Sequence, residues 1–207
     1  MRGNTNINRA ILLAIFTIVY NLIEGIISIY FGLDDEVLSL FGFGLDSFVE
    51  VISGIGIFHM MLRVNKNHVN ERDQFEKRAL QITGASFYLL TLGISITSIY
   101  NLIYGIHPIT TFWGIIVSTS SIIVMWWLVH EKLEIGKKLN SDAIIADANC
   151  TKVCMQLSFV LLISCIGYEL FEFKQIDAIG SIIIAYFAFK EGRESFKKAQ
   201  NKNNYCC

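Results

Sequence analysis

Charge is scarce in this chain of 207 residues: Asp, Glu, Lys and Arg make up only 17%, against a hydrophobic share of 53%. A soluble domain runs at roughly a quarter charged residues. With so few, a water-facing surface cannot be built around a core of this size. Proline is nearly absent, with one residue, so long helices meet few breakers. An excess of positive charge is lacking too. The net charge of −1 argues against a nucleic-acid partner, which calls for a basic surface. These absences exclude an ordinary soluble enzyme, a disordered chain and a nucleic-acid binder.

What is present is a series of long apolar runs. A bilayer-crossing helix needs about 20 mostly apolar residues. Six stretches are predicted as spans: 11–31, 37–62, 82–106, 111–129, 143–167 and a shorter one at 177–189. The first is not a cleaved signal peptide, because Asn21 and Glu24 interrupt its apolar run and no small-residue cleavage site follows. Basic residues gather on the cytoplasmic side of membrane proteins. Here Arg2 and Arg9 precede the first span. Arg63, Lys66, Arg72, Lys77 and Arg78 lie in the second connection, and Lys132, Lys137 and Lys138 in the fourth. Lys190, Arg193, Lys197, Lys198 and Lys202 follow the last span. Fifteen of the 17 basic residues thus fall on one side. The opposite side has Lys174 and the acidic run Asp34-Asp35-Glu36, and Lys152 lies within a span. A five-span or seven-span chain would scramble this pattern. The expected fold class is therefore an all-α membrane protein of six transmembrane helices with both termini cytoplasmic, set in the cell membrane (the inner membrane if bacterial). The expected division is a membrane unit over residues 1–195 and a short cytoplasmic tail over 196–207, with no soluble domain.

Ionisable groups inside a span are costly and mark function by default. Glu24 lies in the first span, Asp46 and Glu50 in the second, Asp147 and Lys152 in the fifth, and Asp177 at the edge of the sixth. Asp46 and Glu50 are four residues apart, hence one turn apart on one helix face. Two carboxylates so close repel unless a cation or proton lies between them. The pair reads as a cation or proton site, with a structural polar patch as the alternative. Cys150 and Cys154 repeat the spacing on the fifth span, with Asp147 on nearly the same face and Lys152 projecting roughly opposite. Alone, this cysteine spacing is weak evidence, since cysteine is a good buried apolar residue. Two carboxylates and two thiols facing one another across a helix interface would suit a divalent transition metal such as zinc or cadmium, with iron(II) or cobalt possible.

At these residues the sequence resembles the cation diffusion facilitator (cation efflux) family. The stretch from Ser39 to Glu50 looks like that family's second-helix motif, and the stretch from Ser141 to Cys154 like its fifth-helix motif. The resemblance implies six helices, two metal ligands each from the second and fifth, and a function as a metal/proton antiporter exporting cytoplasmic metal, not an enzyme. On it, Asp46, Glu50, Cys150 and Cys154 fall on the ligand positions. Glu24 matches a first-helix acidic position and Asp177 an Asp at the start of the sixth helix. Those two, with Asp147, are candidates for a supporting shell or a proton pathway. The resemblance also implies metal ions, protons and the lipid bilayer as partners, and a homodimer. The sequence departs from the family at position 50, where Glu replaces Asp, and on the fifth helix, where thiols replace His and Asp. The family's cytoplasmic metal-sensing domain is not expected after the sixth span.

A metal site must be deprotonated to bind and can be protonated to release, so metal and proton compete. Four deprotonated ligands around a divalent ion would leave excess negative charge in the membrane, so a protonated thiol or a compensating cation is expected. Lys152, pointing away, is a poor candidate. The histidines at 59, 68, 107 and 130 read as surface or interfacial, Cys165 as apolar filler, and Cys206 and Cys207 as a free tail. Competing readings are a membrane metal sensor that does not transport, a passive cation channel, and a thiol oxidoreductase using Cys150 and Cys154. The last is weakened by a spacing unlike Cys-x-x-Cys.

Overall fold

The apolar runs fold as six helices, seen in a computed structural model that describes residues 2–65, 72–104, 109–171 and 176–201. They are α1 (Arg2–Asp34), α2 (Leu38–Asn65), α3 (Arg72–Tyr104), α4 (Phe112–Lys138), α5 (Asp142–Phe171) and α6 (Ile176–Asn201). No strand occurs among the described residues. Five of the six, all but α6, are long and apolar enough to cross a bilayer. α6 falls short because charge enters it at Lys190, and it runs through the expected boundary at 196 to end at Asn201. Predictions at Lys66, His68, His107, Lys174, Lys202, Cys206 and Cys207 lie outside the described residues.

Every helix is longer than its apolar run. The gain matters most for α4, which continues nine residues past the expected end at Val129. Lys132 was counted above among the connection's basic residues. It lies inside the helix instead, with its side chain buried. Trp126 and Trp127 are mid-helix and exposed. The second connection shortens likewise, since α3 already begins at Arg72.

Three antiparallel pairs build the molecule: α1 with α2, α4 with α5, and α3 with α6. The first two pairs meet through α2–α5 and α1–α4 contacts, making a four-helix bundle. The α3–α6 pair packs on its side through α2 and α5. The α1–α2 crossing is close because it is lined by glycine. A Cβ on Gly44 would stand 2.9 Å from the backbone nitrogen of Ile29, and one on Gly25 2.9 Å from the Phe48 ring. Small residues at such crossings are what allow helices to pack in lipid, where apolar burial no longer drives association.

The α4–α5 turn is a Schellman ending. The Asn140 N–H bonds the Lys137 carbonyl at 3.2 Å and the Ser141 N–H bonds that of Gly136 at 3.0 Å. Asn140 takes φ 48°, a left-handed conformation that asparagine tolerates better than most residues. This tight reversal sets the register of the two helices.

Large apolar side chains cover the outside, among them Leu89, Ile103, Ile123, Ile163 and Leu170. Many serines and threonines are inside, and several of their hydroxyls bond the carbonyl one turn back, as Ser118 does to Gly114 and Ser158 to Cys154. An apolar exterior around a polar-lined interior fits lipid as the surrounding solvent.

Candidate metal centre

The α2–α5 interface carries the buried charge. Asp46 and Glu50 are each only 3% exposed, and Cys154, on the facing side of α5, is 1% exposed. The Cys154 thiol is a close neighbour of both carboxylates. Cys150, one turn earlier, is buried near Lys132. Both cysteines are free of disulfides.

Glu50 is held on one oxygen. Its Oε1 accepts a short hydrogen bond from the Thr151 hydroxyl and lies 3.6 Å from the Lys132 ammonium. Its Oε2 is buried and has no hydrogen-bond partner. Lys132 is 2% exposed. It makes a 2.8 Å ion pair with Asp147 Oδ2 and donates to Thr151 Oγ1 at 2.8 Å. Ser53 of α2 donates to the other Asp147 oxygen at 2.8 Å. A buried ammonium is tolerable only when paired and hydrogen-bonded, and two helices, α2 and α5, supply its partners. The hairpin register explains the meeting. Lys132 lies eight residues before Asn140, and Asp147 and Thr151 lie seven and eleven after it.

Lys132 is the residue that sequence reasoning missed. The sequence calls for a protonated thiol or a compensating cation and sets Lys152 aside as pointing away; Lys152 is indeed exposed, and no other lysine is put forward in its place. A basic residue two turns before a helix-terminating Asn, with an acid at the matching distance beyond it, was the available signal.

Glu24 extends the polar interior toward α1. The Tyr20 hydroxyl donates to its Oε1 at 2.9 Å and Ser47 of α2 to its Oε2 at 3.1 Å. Asp177 stands apart, at the N-terminus of α2. Its carboxylate accepts the backbone N–H groups of Leu38 and Ser39 and the Ser39 hydroxyl. That is about 10 Å along the helix from Asp46 at 1.5 Å per residue. His59 and His130 are exposed and Cys165 is buried against α4, all as expected. Among the described residues, no three His, Cys, Asp or Glu side chains are grouped tightly enough to hold one metal ion. The structure thus brings Asp46, Glu50 and Cys154 into one buried neighbourhood, with Asp147 and Cys150 reached through Lys132. It does not close the four predicted ligands on a common point.

A helical bundle with lipid-compatible walls and a charged interior defines a multi-pass membrane protein. The cation efflux transmembrane domain family matches residues 10–201, and the chain belongs to that family. It is 28% identical over 180 residues to the uncharacterized transporter MJ0449 of Methanocaldococcus jannaschii, covering 85% of this chain and 63% of that protein. It is 27% identical over 195 residues to the manganese efflux system protein MneP of Bacillus subtilis, covering 87% of this chain and 64% of that one. The chain thus spans a little under two thirds of the length of these curated relatives.

Proposed function

We propose that this chain is a transporter, not an enzyme, and carries a divalent transition-metal cation across the membrane, exchanging it for protons and exporting it from the cytoplasm. The proposed metal site lies between α2 and α5. Asp46 and Glu50 are its carboxylate ligands, Cys154 the nearest thiol and Cys150 the fourth position. The observation that carries the reading is the Glu50 carboxylate, buried in the bundle beside Asp46 and Cys154 with one oxygen unpartnered. An unpartnered buried carboxylate oxygen is costly, and a bound cation would satisfy it.

The donor set suits zinc or cadmium if the thiol ligates, and iron(II) or cobalt less closely. Two carboxylates also suit manganese, an oxygen-favouring ion, and the name of the Bacillus relative adds it to the set. Proton exchange follows from chemistry: a proton on either carboxylate removes a ligand, so an acidic compartment discharges the site and a neutral one recharges it.

The test is metal uptake into proteoliposomes under an imposed pH gradient, screening zinc, cadmium, iron(II), cobalt and manganese. Flux that needs Asp46 and Glu50 and moves protons the other way is the expected result. Flux without proton movement would replace the antiporter with a channel. No flux from folded protein with any of these metals would sink transport and leave a sensor.

A further inference from the structure

Lys132 sits where an arriving metal would have to act. Its ammonium bridges the Asp147 carboxylate at 2.8 Å and the Glu50 carboxylate at 3.6 Å, enclosed by α2, α4 and α5. The two arms of the bridge are unequal. Toward Asp147 the contact is at full hydrogen-bonding distance, and the far side of that carboxylate is fixed by Ser53. Toward Glu50 the contact is long, it touches one oxygen, and the other oxygen is unpartnered. Lys132 is therefore anchored to Asp147 and only leans on Glu50.

From this asymmetry we infer that Lys132 is a resident cation of the transport site, tethered through Asp147, that competes with the metal ion for Glu50. The inference rests on the proposed metal site between α2 and α5. Without metal, the ammonium screens Glu50 from Asp46 and keeps the empty site from being a bare cluster of negative charge. A divalent ion brings twice the charge of the ammonium to Glu50 and displaces it, and Lys132 keeps Asp147 and Thr151. When the metal leaves, the ammonium returns to Glu50 and assists release. Charge balances in the loaded state as well. Ionised Asp46, Glu50 and Asp147 are matched by one divalent ion together with Lys132. The competition also disfavours monovalent ions, which offer Glu50 no more charge than the ammonium they would replace.

Equilibrium binding of zinc(II) and manganese(II), each alone, to the full chain in nanodiscs tests this. The proteins compared are the parent, Glu50→Gln, Lys132→Met, and Lys132→Met combined with Asp147→Asn. Lys132→Met leaves Asp147 buried without its counter-charge and can fail to fold. The double variant removes both charges, so its net charge equals the parent's, and a change in its affinity reports competition at Glu50 and not overall field. The expected result is that Glu50→Gln weakens binding while the double variant binds about tenfold more tightly than the parent, about 1.4 kcal/mol. It should also release metal more slowly. A purely structural Lys132 would give equal or weaker binding in the double variant. That outcome, with Glu50→Gln still impaired, overturns the inference and leaves the metal site standing. Binding indifferent to Glu50→Gln overturns the site itself, and the inference with it.

Discussion

The Asp177 carboxylate at the start of α6 accepts the Leu38 backbone N–H at 2.8 Å, so one helix caps the first turn of another. A carboxylate at a helix N-terminus satisfies orphan N–H groups and meets the positive end of the dipole. Here the cap comes from 139 residues away in sequence and pins α6 to the end of the helix that carries Asp46 and Glu50. Asp177→Ala is expected to cost about 1–2 kcal/mol, the range of a lost N-cap, with Asp177→Asn costing less because its amide oxygen still accepts. Thermal unfolding in detergent reads the difference. An unchanged melting temperature in the Ala variant, with proton coupling lost, would assign Asp177 to the proton pathway instead.

Asp46→Asn and Glu50→Gln should each lower metal affinity by more than the 10-fold to 100-fold typical of outer-shell partners. The sign with pH follows from the ligands. Affinity rises as pH rises, because only the ionised carboxylates bind, and it falls on acidification. Titrating Kd against pH checks this, and a flat profile in the parent would rule out carboxylate ligands.

The two cysteines should part company. Cys154 neighbours Asp46 and Glu50, whereas Cys150 lies toward Lys132. Cys154→Ser should weaken cadmium and zinc more than manganese, since sulfur favours the softer ions. Cys150→Ser should have the smaller effect. Equal losses from both replacements would restore the symmetric four-ligand arrangement expected from spacing.

At its closest approach to α1, Gly44 meets the Ile29 backbone nitrogen as well as the Ile29 and Ser28 side chains. Gly44→Val should therefore push α1 and α2 apart at a cost of about 1–3 kcal/mol, the range for overpacking. Size-exclusion profile and melting temperature measure it. A variant as stable as the parent would mean that the crossing is looser than described.

Lys152→Met should leave metal flux unchanged, in contrast to changes at Lys132, because Lys152 is exposed on the face of α5 away from the site. Loss of flux in this variant would move the functional face of α5.

The helices were legible because hydropathy survives any arrangement of neighbours: a run such as 11–31 is apolar wherever it packs. The one-turn spacings of Asp46 with Glu50 and Cys150 with Cys154 were legible for the same reason, since helix geometry alone places each pair on one face. Helix ends were less so. α4 runs past Val129 because amphipathic residues such as Glu131 and Lys132 can continue a helix once its neighbours accept them. Arg9 of α1 does this for Glu131 at 2.5 Å, and α5 for Lys132. Positive charge counted along the chain could not tell a surface lysine from a buried one.

The sequence by itself determined that this is a helical membrane protein with acids and thiols committed to its interior, because burial cost is set by each residue and summed along each helix. Only the tertiary structure decided which groups share a neighbourhood: Lys132 with Asp147 and Glu50, Asp177 with the start of α2, and Cys154 in place of Cys150 beside Asp46. Those pairings depend on how helices rotate about their axes and slide past one another. Glycine contacts and the register of the turn at Asn140 set both, and neither is visible in the composition or period of a single helix.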